Sequence, residues 1–298
     1  MCIRDRIYDA APLVSAARSL TWTGVFRVLQ TDHRYGIPAT LRLYLRSALG
    51  HLFVDGDRPL TLEDMEIPLY IVSAGITVDA LKHDLEYYEN LLSGDVRFGV
   101  RATIRTAVKT AQMLREFLAR REDLVEVVIG RTPGTEAFDV LDAAGFSAAI
   151  PGIIHYDVLR DDPRMLRILD TLYASHGITR LGEGGLVANV PARIAWESAM
   201  AGLVGGHRNA FVLALDCFAP NARRVAWYPM QQAVRTDNAQ ADRAFADLYV
   251  AFDRTLSPMN LVPAVRDAFT AMSWGREELE PHMPFISEMM KPVEVLSD

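Results

Sequence analysis

Cysteine is nearly absent from this chain. Cys2 and Cys217 are the only two, far apart and without C-x-x-C spacing. That argues against a disulfide-stapled scaffold and a cysteine-built zinc cluster, and it fits a reducing, cytoplasmic compartment. A basic surplus is missing too: 31 Lys and Arg stand against 38 Asp and Glu, a net charge of −7. A duplex-binding surface shows the opposite balance, so no nucleic-acid partner is expected. No apolar run reaches the roughly 20 residues that a transmembrane segment needs. The longest, "AFVLALDCFA" at residues 210–219, is strand-sized. The seven histidines show neither H-x-x-x-H nor H-E-x-x-H spacing, so no metal site is assigned and no cofactor is implied.

Apolar residues are plentiful. Half of the 298 residues are hydrophobic, enough for one large core or two modest ones. The opening "MCIRDR" is charged and patternless. Residues 1–6 are therefore read as a non-native segment, and 7–298 as a single domain whose natural chain begins further upstream.

Apolar spacing predicts helices over 9–30, 38–53, 78–93, 98–121, 136–149 and 163–175, another from about Val190, and a mostly helical region over 230–298. Short apolar, β-branched runs predict strands at 67–73, 125–129, 179–181 and 210–216. Strands alternating with helices indicate an α/β fold with one mostly parallel sheet. In such sheets ligands gather at the carboxyl ends of the strands.

One carboxylate stands at such an end. Glu183, in "LGEGGLVANVPARIAWESA", lies two residues past the strand at 179–181. Gly184 and Gly185 permit backbone angles that other residues avoid, so they can hold the acid on a tight loop. Asn189 and Pro191 mark a helix start. Read from these residues alone, Glu183 caps or solvates the turn.

The same stretch resembles a family. "GEGGLVANVPARIA" is similar to the D-G-G or D-G-A turn and x-x-x-N-x-P of the patatin-like phospholipases. "DAAGFSAAIPGIIHYDV" at 142–158 resembles the family's A-S-x-A-I-P-G helix end, "RNAFVLALDCFAP" its following strand, and "IPLYIVSAGIT" at 67–77 the strand before its insertion. The blocks stand in the family's order over residues 60–220. The resemblance implies a three-layer α/β/α fold that lacks its N-terminal strand–elbow–helix unit, with a helical insertion at about 78–121. It also implies a lipid acyl hydrolase working by a serine–acid dyad on a lipid ester, in peripheral contact with membrane lipid. Glu183 stands at the general-base position, where the family has Asp, and Gly184, Gly185 and Asn189 complete the motif turn. The alternative is a non-catalytic lipid-binding or scaffold protein with a degraded dyad.

The family's nucleophile sits on a G-x-S-x-G elbow, exposed by a sharp strand-to-helix turn. No serine here has that pattern. Ser147 in "GFSAA" is read as a packing residue of the helix end. Ser73 in "IVSAG" follows a strand and precedes a predicted helix, but Ile71 replaces the first glycine, and a β-branched residue resists the strained turn. Neither is assigned as nucleophile, and the chain as given is expected to be inactive. "GGHRN" at 205–209 only partly mimics the family's oxyanion loop and reads as a loop before a strand. His155 is read as a structural histidine, and Asp157 is the next acid to consider as base. The basic stripe Arg101, Arg105 and Lys109 along 100–118 and the methionine-rich end "HMPFISEMMKP" are read as an ordinary surface helix and a core cover.

Overall fold

The computed structural model describes residues 26–28, 34–37, 39–77, 124–158, 160–206, 210–217, 242–256 and 262–291. The protein is mixed α/β. Its strands are β1 (Phe26–Val28), β2 (Ala39–Leu43), β3 (Val54–Asp55), β4 (Arg58–Pro59), β5 (Ile71–Thr77), β6 (Leu124–Ile129), β7 (Gly152–His155), β8 (Ile178–Gly182), β9 (Leu213–Asp216) and β10 (Leu248–Ala251). Among the described residues the α-helices are α1 (Leu45–Leu49), α2 (Val140–Ser147), α3 (Pro163–His176), α4 (Ala192–Met200), α5 (Val265–Leu279) and α6 (Met283–Met289). The described residues fall into two compact units, one running to Asn189 and the other from Val190 onward.

In the first unit, β5 is the middle strand of a sheet ordered β6-β5-β8, antiparallel to both neighbours. Val72 to Ile76 are all buried, as a central strand covered on both faces requires. A second sheet, ordered β1-β2-β7, pairs β2 antiparallel to β1 and parallel to β7. The core between elements holds Ile37, Ile76, Ile129, Phe138, Phe146, Met165, Leu169 and Leu181. Phe146 meets Phe138 and Tyr156 edge-to-face, with ring centroids 6.2 and 5.2 Å apart, a favoured aromatic geometry.

Helix α3 follows directly from its sequence. Asp162 caps its start, accepting from the backbone N–H groups of Arg164 at 3.1 Å and Met165 at 3.2 Å. Pro163 opens the first turn, where its missing N–H costs nothing. Gly177 ends it in the left-handed conformation at φ +60°, which glycine adopts without strain. The buried positions Met165, Leu169 and Leu172 are spaced four and three apart and form one apolar stripe.

Two carboxylates are buried beside this core. Asp139 and Asp142, at the start of α2, are fully buried. Arg46 pairs with Asp139 at 2.6 Å. Arg160 reaches Asp139 at 2.5 Å and Asp142 at 2.6 Å. Arg164 pairs with Asp139, and the Tyr156 hydroxyl donates to Asp142 at 2.5 Å. Burial first, and the Asp142 charge second, raise the Tyr156 phenol well above its ordinary range, so it stays a donor.

The second unit is smaller. β9 pairs parallel with β10. Val190, Ala192, Val212 and Ala214 form its core, with Phe245, Ala246 and Tyr249 packed against them. Helix α4 buries Ala192, Ile194, Ser198 and Ala199. Helix α5 buries no residue, and α6 buries only Ile286. Phe269, Met272, Met283, Phe285, Met289 and Met290 are exposed.

The structure departs from the sequence expectations in five places. The strands expected at 125–129 and 179–181 form as β6 and β8, and the one expected at 67–73 forms only from Ile71 and continues to Thr77 as β5, but they pair antiparallel. Apolar content reports burial on both faces and carries no information on strand direction. The run at 210–216 forms β9 in the second unit, in its own sheet, so the four runs do not share one mostly parallel sheet. Residues 39–43, expected to be helical, are strand β2, and α-helix runs only from Leu45 to Leu49. Leu41 fits both a helical face, with Tyr44, Leu45, Ala48 and Leu49, and a period of two, with Ala39 and Leu43, and pairing with β7 decides between them. Within the expected helix at 9–30, Phe26–Val28 is strand β1, and within the helical region at 230–298, Leu248–Ala251 is strand β10. The expected helices over 78–121 lie outside the described residues.

Replacing Leu169 by Ala leaves a cavity under α3. It is expected to lower the unfolding free energy by about 2–5 kcal/mol, the range for truncating a buried leucine. Urea denaturation followed by circular dichroism measures this, and a loss of only a few tenths would show that this face is not packed.

Candidate functional site: the acid turn after β8

The end of β8 is held from both sides. Leu181 pairs with Gly75 of β5. On its other edge, the Leu181 N–H donates to the Tyr35 carbonyl at 2.9 Å, and the Ile37 N–H donates to the Leu181 carbonyl at 3.1 Å. The stretch 35–37 therefore adds a short parallel pairing to the edge of β8. Two residues on, the Glu183 N–H donates to the Ala149 carbonyl at 2.9 Å, which ties the turn to the chain leaving α2.

The turn itself is one 3₁₀ segment, Gly184–Leu186. The N–H groups of Leu186, Val187 and Ala188 donate to the carbonyls of Glu183, Gly184 and Gly184, at 3.2, 3.1 and 2.9 Å. Glu183 is its capping residue, and its Oε1 accepts from the Gly185 N–H at 3.3 Å. Neither Gly184 nor Gly185 has positive φ, so glycine is required at 184 for space rather than for backbone angle. A Cβ on Gly184 would lie 2.1 Å from the Val72 carbonyl oxygen of β5, so any side chain would push the turn off the sheet. A Cβ on Gly185 would lie 3.2 Å from Glu183 Oε1 and 3.6 Å from Asn189 Oδ1. Glu183, Gly184, Gly185 and Asn189 are thus gathered around one turn.

Glu183 is partly buried. Burial pushes its carboxyl from 4.5 up to about 7, against a small opposing pull from the Gly185 N–H. A carboxyl in that range exchanges protons near neutral pH, as a general base or acid must.

Ser147 is the last residue of α2, and its hydroxyl stands 3.1 Å from where a Cβ of Gly184 would be. The serine therefore borders the turn. Ser73 has a different setting from the one its sequence suggests. It lies inside β5, which continues to Thr77, so no strand-to-helix turn exposes it. Its side chain is fully buried, and its hydroxyl finds no hydrogen-bond partner among the described residues.

His155 is fully buried at the end of β7. Its Nδ1 donates to the Ile37 carbonyl at 2.9 Å, and Nε2 lies 3.8 Å from Asp157 Oδ2. Asp157 is engaged with backbone. Its Oδ2 accepts from the N–H groups of Arg34 at 2.6 Å, Tyr35 at 3.0 Å and Gly36 at 3.5 Å, and its Oδ1 from Val158 at 2.9 Å. Asp157 thus anchors the stretch that braces β8. Sequence reading missed the role of Arg34–Ile37. The one signal was Gly36 inside "RYGIP": a Cβ there would lie 1.8 Å from the Tyr156 carbonyl oxygen. Of the glycine-rich "GGHRN" stretch, residues 207–209 lie outside the described residues.

No protein-family model, no characterised protein sequence and no solved structure matches this chain.

The elevated Glu183 carboxyl has a consequence for stability. In the unfolded chain it ionises near 4.5, and in the folded protein near 7. The native state therefore binds the extra proton across that window, and stability falls as pH rises through it, by on the order of 2–3 kcal/mol. Glu183→Gln is expected to flatten that decline. It should match the parent near pH 4.5 and exceed it near pH 8. Urea denaturation across this range reads the difference, and parallel curves for the two proteins would show that the acid is not desolvated.

Proposed function

We propose that this chain is part of a patatin-like lipid acyl hydrolase in which Glu183 is the general base. One observation carries the reading. A partly buried carboxyl, shifted to about 7, sits at the end of a strand on a turn whose glycine lies against the neighbouring strand. In the reaction, a serine hydroxyl gives its proton to this carboxylate and attacks the ester carbonyl. The alcohol leaves with a proton, and water activated by the same acid releases the acyl group. The reading takes the serine and the oxyanion donors from a segment outside these 298 residues, because no serine in the sequence has the G-x-S-x-G pattern of an elbow. It also takes the three-layer arrangement as a property of the whole domain. The antiparallel pairing around β5 is a departure from the family pattern.

A second reading rests on the hydrogen bond from the Gly185 N–H to Glu183 Oε1. A carboxylate that caps its own turn suffices for a non-catalytic lipid-binding or scaffold protein.

The test compares two proteins. The 298-residue chain is expected to hydrolyse a short-chain p-nitrophenyl ester no faster than buffer. A form extended upstream through its own gene to include an elbow is expected to turn it over. In that form Glu183→Gln should lower kcat by about two to four orders of magnitude, the usual range for a lost general base, and Glu183→Asp should keep or raise activity. An unchanged kcat in Glu183→Gln favours the scaffold reading. Turnover by the short chain that vanishes on Ser147→Ala or Ser73→Ala would move the nucleophile into this sequence.

A further inference from the structure

Residues 54–58, "VDGDR", are exposed without a break. They form the tip of the β3–β4 hairpin, which holds two residue pairs, Val54 with Pro59 and Asp55 with Arg58. Gly56 and Asp57 make its two-residue turn, with Gly56 at φ +61°. So short a pair of strands is marginal and opens readily. The tip carries the only Asp-Gly step in the chain, and the sequence has no Asn-Gly.

That step has a chemistry of its own. The amide nitrogen of the residue after an aspartate lies one ring closure away from the side-chain carboxyl carbon. A Cβ on that residue crowds the attack, and glycine has none. The space beside Gly56 is also empty: a Cβ built there meets nothing within 4 Å. The Asp55 side chain is 76% exposed, and Arg58 comes only to 3.9 Å from it, beyond hydrogen-bond range. The Arg58 guanidinium is committed instead to Asp64, at 2.9 and 2.8 Å. The Asp55 carboxyl is therefore open to the backbone and to water. Every other aspartate with a residue after it is followed by one that carries a Cβ, and Asp139, Asp142 and Asp157 are buried as well.

We infer that Asp55–Gly56 is a modification site, at which the chain isomerises to isoaspartate with water as the sole co-reactant. With the hairpin tip open, the Gly56 nitrogen attacks Cγ of Asp55. A C–N bond forms, and the carboxyl hydroxyl leaves with the amide proton as water, which closes a succinimide ring. Water then adds to one of the two imide carbonyls. Opening at Cγ restores aspartate. Opening at the α-carbonyl breaks the original peptide bond to Gly56 and leaves the main chain running through Cβ and Cγ. One water is lost and one is gained, so the mass is unchanged. The site does not depend on the acyl-transfer reading.

The product lengthens one side of the turn by a methylene. Turn length fixes hairpin register, so Asp55 no longer faces Arg58. The chain after β4 is held elsewhere. The Val140 N–H donates to the Leu60 carbonyl at 3.0 Å, and the Leu62 N–H donates to the Phe138 carbonyl at 3.0 Å. The hairpin tip loosens and the core does not.

The test ages the 298-residue chain for several weeks at physiological temperature and mildly acidic pH, in oxygen-18 water. Peptide mapping with electron-transfer fragmentation, which distinguishes isoaspartate from aspartate, follows the product. Isoaspartate is expected to accumulate at residue 55 ahead of every other aspartate, with at least one solvent oxygen in each isomerised peptide. Asp55→Glu keeps the charge but would have to close a ring one member larger, a much slower step, so the signal should be lost. In the separated isomerised form the Leu60 amide, which donates to the Phe53 carbonyl at 3.0 Å, should exchange faster with solvent, and the Val140 amide should not. Absence of isoaspartate from the aged folded chain, an equal extent at other aspartates, or a signal that survives Asp55→Glu would overturn the proposal.

Discussion

Two buried carboxylates fix the first unit. Asp139 and Asp142 lie out of water at the start of α2, and a carboxylate there is tolerated only with close partners. Those partners come from three directions: Arg46 from α1, Arg160 from the chain after β7, and Arg164 from the first turn of α3. Tyr156 adds a neutral donor. Asp139 is shared by all three arginines and Asp142 is held by Arg160 and Tyr156, so among the described residues Arg160 is the one cation that serves both buried charges closely. An apolar core of Phe138, Phe146, Leu169 and Met165 supplies most of the favourable free energy. The ion cluster specifies which elements meet around it.

The acid turn inherits its position from that arrangement. Helix α2 is held by the cluster, and the chain leaving it offers the Ala149 carbonyl to the Glu183 N–H. From the other side, Gly184 lies against the Val72 carbonyl of β5. Glu183 is therefore placed by backbone contacts, and among the described residues its side chain makes one long hydrogen bond. Its proton affinity is set mainly by its loss of water.

Much of this was legible in the sequence, for reasons that differ by element. Helix α3 announces itself by an Asp-Pro start, a stripe at 165, 169 and 172, and a glycine stop. Strands β5, β6 and β8 announce themselves as apolar runs, but their directions do not, because burial on both faces is the same signal either way up. Strand β2 was hidden because Leu41 belongs both to a period of two with Ala39 and Leu43 and to a helical face with Tyr44, Leu45 and Ala48. Glu183 and its glycines stood out as an acid on a tight turn. The reason for Gly184 did not, since a carbonyl 112 residues earlier in the chain creates it. The engagement of Asp157 with Arg34–Gly36 was equally illegible, because no periodic pattern reports a side chain bound to distant backbone.

That last contact ties together amides far apart in sequence. Asp157 holds the N–H groups of Arg34 and Tyr35, the Tyr35 carbonyl holds Leu181, and Leu181 in turn holds Ile37. None of these bonds lies within one helix or hairpin, so none can fray alone from an end. Their hydrogens should exchange with solvent as one cooperative group, opening only when the 34–37 stretch lifts from β8. The slowest-exchanging amides near the acid turn would then include some that lie nearly 150 residues before it in the chain.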